Sequence, residues 1–324
     1  MPTWAKAIVY LAVMALIVSV TINVYLGLGL RALTAGPAQE VYRTGDRANA
    51  ILVLPIEGTI SNDTDRFVQT ALAVVRRQQP KAVILRIDSH GGSAFASDRI
   101  AHHIKKLRRQ VDIPIVASFG GIAASGGYYV SAGADQIVAE PNTITGSIGV
   151  VSVFLNIKGL LEERLSIEPH VELADASPRK LEGAHPFRYD ERDREAMKDL
   201  LNHLHESFVN VVREGRSGRF EEDDLERITS GATFVAPEAE KIGLVDRIGY
   251  FDDAIEVAKE LAGIPEDIDP QVTIIRPQRG LLGVLFGARG GGQKPLTDIS
   301  GEQARQWLLD ATGVRFEYRW YPGH

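Results

Sequence analysis

Apolar and polar positions alternate along this chain in blocks whose period switches between that of a buried strand and that of a helix. Ile51 to Ile56 is a short apolar run ending at Gly58, which predicts a buried strand. Asp63 to Gln78 places Phe67, Ala71, Leu72 and Val75 at helical spacing, and Pro80 closes it. Ala82 to Ile87 predicts a second strand, ending at Asp88-Ser89-His90-Gly91-Gly92. Ser97 to Gln110 predicts a helix with Ile100, Ile104 and Leu107 on one face. Pro114 to Phe119 reads as a third strand, running through glycines and alanines into Ser125, with a helix from Tyr128 to Ala132. Gln136 to Ala139 is the fourth strand. Strands alternating with helices imply βαβ units and a mainly parallel α/β core.

Further along, Leu173 to Asp190 is aperiodic and reads as a loop. Asp190 to Arg213 is a long helix striped by Met197, Leu200, Leu201, Leu204, Phe208 and Val211. Shorter helices are predicted at Asp224–Ile228, Pro237–Ile242 and Phe251–Leu261. From Ile275 the chain turns Gly-rich and ends in Arg319-Trp320-Tyr321-Pro322-Gly323-His324, an extension expected to be partly flexible or docked on a partner. The expected organisation is a membrane anchor over 1–33, a tether over 34–49, the main domain over 50–265 and the extension over 266–324.

The anchor rests on the stretch from Ala7 to Leu30, which carries no charge. At ~1.5 Å per residue it reaches roughly 36 Å as a helix, more than the ~30 Å hydrocarbon layer. A cleaved signal peptide is the competing reading, but its apolar region usually runs only ~7–15 residues before a small-x-small site. Lys6 precedes the span, whereas Arg31, Arg43 and Arg47 follow it, a balance that mildly favours a cytoplasmic main domain.

Composition narrows the chemistry. The 36 Lys and Arg residues against 42 Asp and Glu leave a net charge of −6 over 324 residues, which argues against nucleic-acid binding. The absence of Cys removes disulfides, thiolate metal sites and Cys nucleophiles. Ser125 is the candidate nucleophile: it follows a buried strand, opens a helix and is flanked by small residues, with the Gly126 amide beside it as an oxyanion donor. Gly-Ser turns are also common in α/β proteins without such a role. Gly91-Gly92 lies at the end of the preceding strand, and consecutive strand ends of a parallel sheet share an edge, so Gly92 offers a second amide unless the pair is only a tight turn. For a base the residues leave choices open. Eight histidines show no metal spacing, and His90 beside the glycine pair is the best placed. Of ten lysines most fit solvated helix faces or termini; Lys158 and Lys180 remain, and Lys180 has the cationic neighbour Arg179, which favours a neutral amine. No metal or organic cofactor is implied.

Four stretches together resemble the signal peptide peptidase A family of membrane serine proteases: Ile87 to Gly92, Ala123 to Tyr129, Asn142 to Val150 and Ala239 to Asp246. The resemblance covers roughly 51–262. It implies a Clp-protease/crotonase-like fold of repeated ββα units with a mainly parallel sheet, preceded by one transmembrane helix. It also implies a Ser–Lys dyad, with Ser125 as nucleophile, Lys180 as base, and Gly92 and Gly126 as oxyanion donors. His90 stands where the family has proline, and the interval from Lys180 to Phe187 is about one residue longer than usual. The implied activity is endoproteolysis of signal-peptide remnants or other unfolded apolar peptides, in a homo-oligomeric ring or dome whose lysine can come from a neighbour. The family places its catalytic domain outside the cytoplasm, against the charge count. A crotonase-like acyl-CoA enzyme and a proteolytically inactive membrane scaffold are the alternatives; the first leaves Ser125 and Lys180 without a role.

Overall fold

A computed structural model describes residues 2, 10, 12–23, 37–170, 172–180, 182–183 and 185–277, and the backbone alone of 315–319. The chain divides into two compact units. One comprises residues 1–38 and 277–295. Its described part includes helical residues 12–23, with Met14, Leu16 and Ile17 exposed. Among the described residues no helix is long and apolar enough to cross a membrane. The expected span, Ala7 to Leu30, lies partly outside the described residues, at 7–9, 11 and 24–30. The single-pass anchor is therefore not established by this helix.

The other unit, residues 39–276 and 296–324, holds one large sheet. Its strands are β1 (Ala38–Arg43), β2 (Asp46–Ile60), β3 (Ala82–Ser93), β4 (Ile115–Ala124), β5 (Gln136–Ala139), β6 (Ile144–Gly146), β7 (Val151–Val153), β8 (Thr233–Val235), β9 (Arg247–Ile248), β10 (Pro270–Arg276) and β11 (Arg315–Arg319). The main path runs β1-β10-β2-β3-β4-β5-β9. β10, β2, β3, β4, β5 and β9 pair in parallel, Ile51 opposite Ala82 and Val83 opposite Ile115. The continuous apolar runs follow from burial on both faces. Leu52, Leu54, Ile56, Val83, Leu85 and Ile87 join one core, whereas Ile51, Val53, Ala82 and Ile84 join the other.

The first core is roofed by helices α1 (Asn62–Gln78), α2 (Ala94–Gln110) and α3 (Gly126–Ser131), with α4 (Glu191–Gly215) contributing Phe208 and Val212. Ser61 caps α1 through a reciprocal box with Thr64, and Gln79 ends it in a left-handed conformation before Pro80. Two short helices follow, α5 (Leu225–Ile228) and α6 (Ala236–Lys241). The second core lies under α7 (Phe251–Leu261), which buries Ala254, Ile255, Val257 and Ala258.

Three readings from sequence change here. Residues 34–49 are expected as a tether, yet 38–43 form a strand beside β10 and β2 begins at Asp46, where Gly45 packs against the main chain of Asp269 and Pro270. Residues 270–276 lie beyond the boundary drawn at 265, but they pair with β2 and bury Val272, Thr273 and Ile275. Lys259, read as a solvated helix lysine, is buried, and its Nζ donates to the Glu266 carbonyl at 2.6 Å.

Candidate active site

The parallel strands β3 and β4 end side by side, and their ends diverge. Their pairing stops at Ser89 opposite Ala123. β4 then pairs with β6, Ala124 opposite Gly146, and turns into α3 through Ser125. Ser125 takes φ 54° and ψ −116°, a left-handed backbone that costs a non-glycine residue about 1–3 kcal/mol. The turn is braced from the β6 side. The Ser125 amide donates to the Gly146 carbonyl at 2.8 Å, and Thr145 Oγ1 donates to the Ala123 carbonyl at 2.6 Å. Ser125 is 1% exposed, and its hydroxyl neither caps α3 nor finds any other hydrogen-bond partner. A strained, sealed serine with an unused hydroxyl costs stability that packing alone does not require.

β3 does not stop at the glycine pair, as its sequence reads, but runs on to Ser93. After a register shift at Glu57/Thr59, Gly91 and Gly92 pair with Thr59 and Ile60. A Cβ on Gly92 would lie 2.2 Å from the Ile60 carbonyl oxygen, so only glycine fits. Buried Ser89 holds this segment: its Oγ donates to the Gly58 carbonyl at 2.5 Å and accepts from the Gly91 amide at 3.1 Å. The two strand ends touch directly, since a Cβ on Gly127 would sit 2.7 Å from the Ser89 carbonyl oxygen. Ser125, Gly126 and Gly92 thus share one edge, as consecutive strand ends predict.

The helix behind the serine is locked by a buried ion pair. Arg216, 1% exposed, donates to the Gly243 carbonyl and, at 2.8 and 2.9 Å, to both oxygens of Asp246. Tyr128 Oη donates to the Leu244 carbonyl, and burial pushes the Tyr128 phenol well above its ordinary range. Sequence reasoning missed Ser89, Thr145 and Arg216. Ser89, Thr145 and Asp246 lie within the four resembling stretches, but a single sequence does not say what their side chains bond.

Lys180 is not on Ser125. It is exposed on the loop before α4, its amide bonded to the Ser177 carbonyl at 3.2 Å. The end of that loop is pinned: Asp193 accepts from the Gly183 and Asp190 amides and from Arg188. Burial pushes the Asp193 carboxyl up, but these hydrogen bonds, Arg188's foremost, outweigh it and hold the group below the ordinary carboxylate range. The other base candidates are engaged elsewhere. His90 Nε2 lies 3.3 Å from Thr59 Oγ1, and the Lys158 ammonium faces Glu162. Among the described residues no cluster of three His, Asp or Glu side chains is set to hold a metal ion.

The site thus places a strained serine between a parallel strand and a helix, beside a glycine-rich strand end. Residues 107–265 match peptidase family S49. "Putative protease slr0021" of Synechocystis sp. is 32% identical over 279 residues, 86% of this chain and 93% of that protein. The chain belongs to peptidase family S49. It is also 36% identical over 234 residues to "Putative signal peptide peptidase SppA" of Enterococcus faecium, and 32% identical over 233 residues to "Protease 4" of Haemophilus influenzae. Each of these alignments covers 68% of this chain, but only 66% and 36% of the respective relatives. Among solved structures, the membrane-bound stomatin-specific protease 1510-N is similar at 18% identity and a TM-score of 0.46, over 71% of this chain and 99% of that one, too distant to add to the assignment.

Proposed function

We propose that the protein is a serine endopeptidase of Clp-protease/crotonase-like fold, anchored to a membrane by its apolar N-terminus. The observation that carries this reading is the Ser125 hydroxyl, sealed and without a bonding partner at a strained strand-to-helix turn beside Gly92. Ser125 attacks the peptide carbonyl, and the Gly92 and Gly126 amides receive the developing oxyanion. Lys180 is the general base: its neutral amine accepts the Ser125 proton and returns it to the leaving amine. Because the lysine is exposed within one chain, the dyad is completed in a homo-oligomer by the loop of a neighbouring copy. The pinned base of the loop at Asp193 supports this, since it presents Lys180 outward from an ordered stem. The substrates are unfolded apolar peptides, signal-peptide remnants among them, cut beside the membrane on its extracytoplasmic side. The exposed apolar helix over 12–23 supports membrane attachment.

The test is peptide hydrolysis by the full chain in detergent. Ser125→Ala and Lys180→Ala each abolish cleavage. Mixing the two variants before assembly restores roughly a quarter of the wild-type rate, because random mixing leaves that share of neighbouring pairs intact. Full activity of Lys180→Ala would remove the lysine from the reaction, and full activity of Ser125→Ala would end the reading.

A further inference from the structure

The helices α1 and α2 each link one parallel strand to the next, β2 to β3 and β3 to β4. They therefore end at the same edge of the sheet, opposite the edge that carries Gly92 and Ser125. That shared end is basic. α1 closes with Arg76 and Arg77, and α2 with Lys105, Lys106, Arg108 and Arg109, in a chain whose net charge is −6. A cation or two answers the carbonyl end of a helix, and this cluster exceeds that need. Part of it is spent, since Lys105 pairs with Glu214 and Arg108 with Asp135. Arg76, Arg77 and Lys106 have no acidic partner among the described residues. Between the helices lies a groove of about 430 Å³, lined by Gln69, Leu72 and Arg76 of α1 and by His103, Lys106 and Gln110 of α2. The spacing is i, i+3 and i+7 on both helices, so two matching faces oppose each other. Leu72 is buried, and each of the other five side chains carries an N–H donor. The Asp65 carboxylate, which lies 3.4 Å from His103, is already held by Arg99 at 2.8 Å and by Gln69 at 3.2 Å.

We infer that this basic face docks on anionic phospholipid headgroups, with one headgroup phosphate seated in the α1–α2 groove between Arg76 and Lys106. The inference rests on the membrane attachment proposed above and adds how the domain lies on the bilayer. The route of the chain selects a lipid surface over other polyanions. Gln39, where the chain enters this unit, accepts a hydrogen bond from Gln78 Nε2 at 3.1 Å, at the basic end of α1. Only residues 31–38 separate Gln39 from the expected apolar span, at most about 30 Å of chain. A cationic face held that close to a membrane-inserted segment meets headgroups before any soluble partner. Each Lys or Arg near an anionic leaflet strengthens such docking roughly five-fold. The edge carrying Ser125 then stands off the headgroups by the length of α2, ~25 Å at ~1.5 Å per residue. The serine is thereby kept clear of the lipid and open to a peptide segment leaving the bilayer.

The chain has no Cys, so Ala73→Cys, on the exposed side of α1 one turn before Arg76, takes a single fluorophore. The full labelled chain is placed in nanodiscs of phosphatidylcholine, with or without phosphatidylglycerol, doped with a headgroup nitroxide quencher. The dye is quenched in the anionic discs and bright in the neutral ones, and high salt abolishes the difference. R76Q/K106Q lowers the ratio of docked to free domain on the order of 30-fold, at roughly five-fold per cation removed. Equal quenching in both discs would overturn the inference while leaving the anchor intact. A chain recovered outside the discs, whatever their lipid, would end the membrane reading and the inference with it. Hydrogen exchange over 69–76 and 103–110 separates the sources of phosphate. Protection by glycerol 3-phosphate in detergent, equal to that in the anionic discs, would assign the groove to a soluble phosphate and overturn docking on lipid.

Discussion

Substituting Gly127 by alanine tests how rigidly the serine turn is set against the neighbouring strand end. The new Cβ would lie 2.7 Å from the Ser89 carbonyl oxygen, about 0.7 Å inside ordinary contact. Neither side yields easily. Ser89 is fully buried and tied to Gly58 and Gly91, while α3 is tied through Tyr128 to the Leu244 carbonyl. Overpacking of this kind costs about 1–3 kcal/mol. The strain is relieved by moving the turn, and a displacement approaching 1 Å at a reacting group costs on the order of 100-fold in rate. Gly127→Ala is therefore expected to lower the second-order rate of fluorophosphonate labelling by roughly 10- to 100-fold. It should also lower the urea midpoint modestly. A variant that labels at the wild-type rate with wild-type stability would refute the claim that the two strand ends are held in fixed register.

Other perturbations follow from the same geometry. Arg216→Met leaves Asp246 buried with its main cation gone and should cost about 3–5 kcal/mol in urea unfolding, tempered by Arg219, which also reaches Asp246. Ser89→Ala frees the Gly91 amide and should cost about 1–3 kcal/mol, with a larger fall in kcat than in substrate affinity if the strand end positions the oxyanion donor. Asp193 titrates below its unfolded value, so its stabilising contribution is present above that value, near pH ~3.9, and fades as pH falls through the lower folded one. Unfolding free energies of wild type and Asp193→Asn should accordingly differ most near neutral pH and converge below about pH 4. A constant gap would contradict the assignment.

The buried parallel strands were legible because both faces are covered, so 51–56, 82–85 and 137–139 read as apolar runs in the sequence and emerge within strands. The long helix from Glu191 to Gly215 formed, but of its expected stripe only Met197 and Phe208 are buried while Leu200 is exposed; Phe251–Leu261 emerged with the bounds its period implies. Residues 88–93 defeated the pattern. Glycines carry no periodicity, and their pairing with Thr59 and Ile60 depends on a bulge that only the folded strand reveals. Ser125 was visible as a small-residue turn, but its backbone strain and sealed hydroxyl were not. The pairing of 315–319 with β3 and β7 was hidden, because five residues after a Gly-rich tract give no cue to the distant edges they meet. Lys180 was chosen by resemblance and by elimination, and the single chain leaves it exposed on the loop before α4.

The central claim is that the Ser125 hydroxyl is the attacking group. A fluorophosphonate probe applied to the full chain in detergent, followed by mass-spectrometric mapping, tests it most directly. The account predicts one adduct on the peptide containing Ser125, lost in Ser125→Ala while the variant retains the wild-type unfolding midpoint. An adduct on another residue, or none on folded and assembled protein, would contradict it.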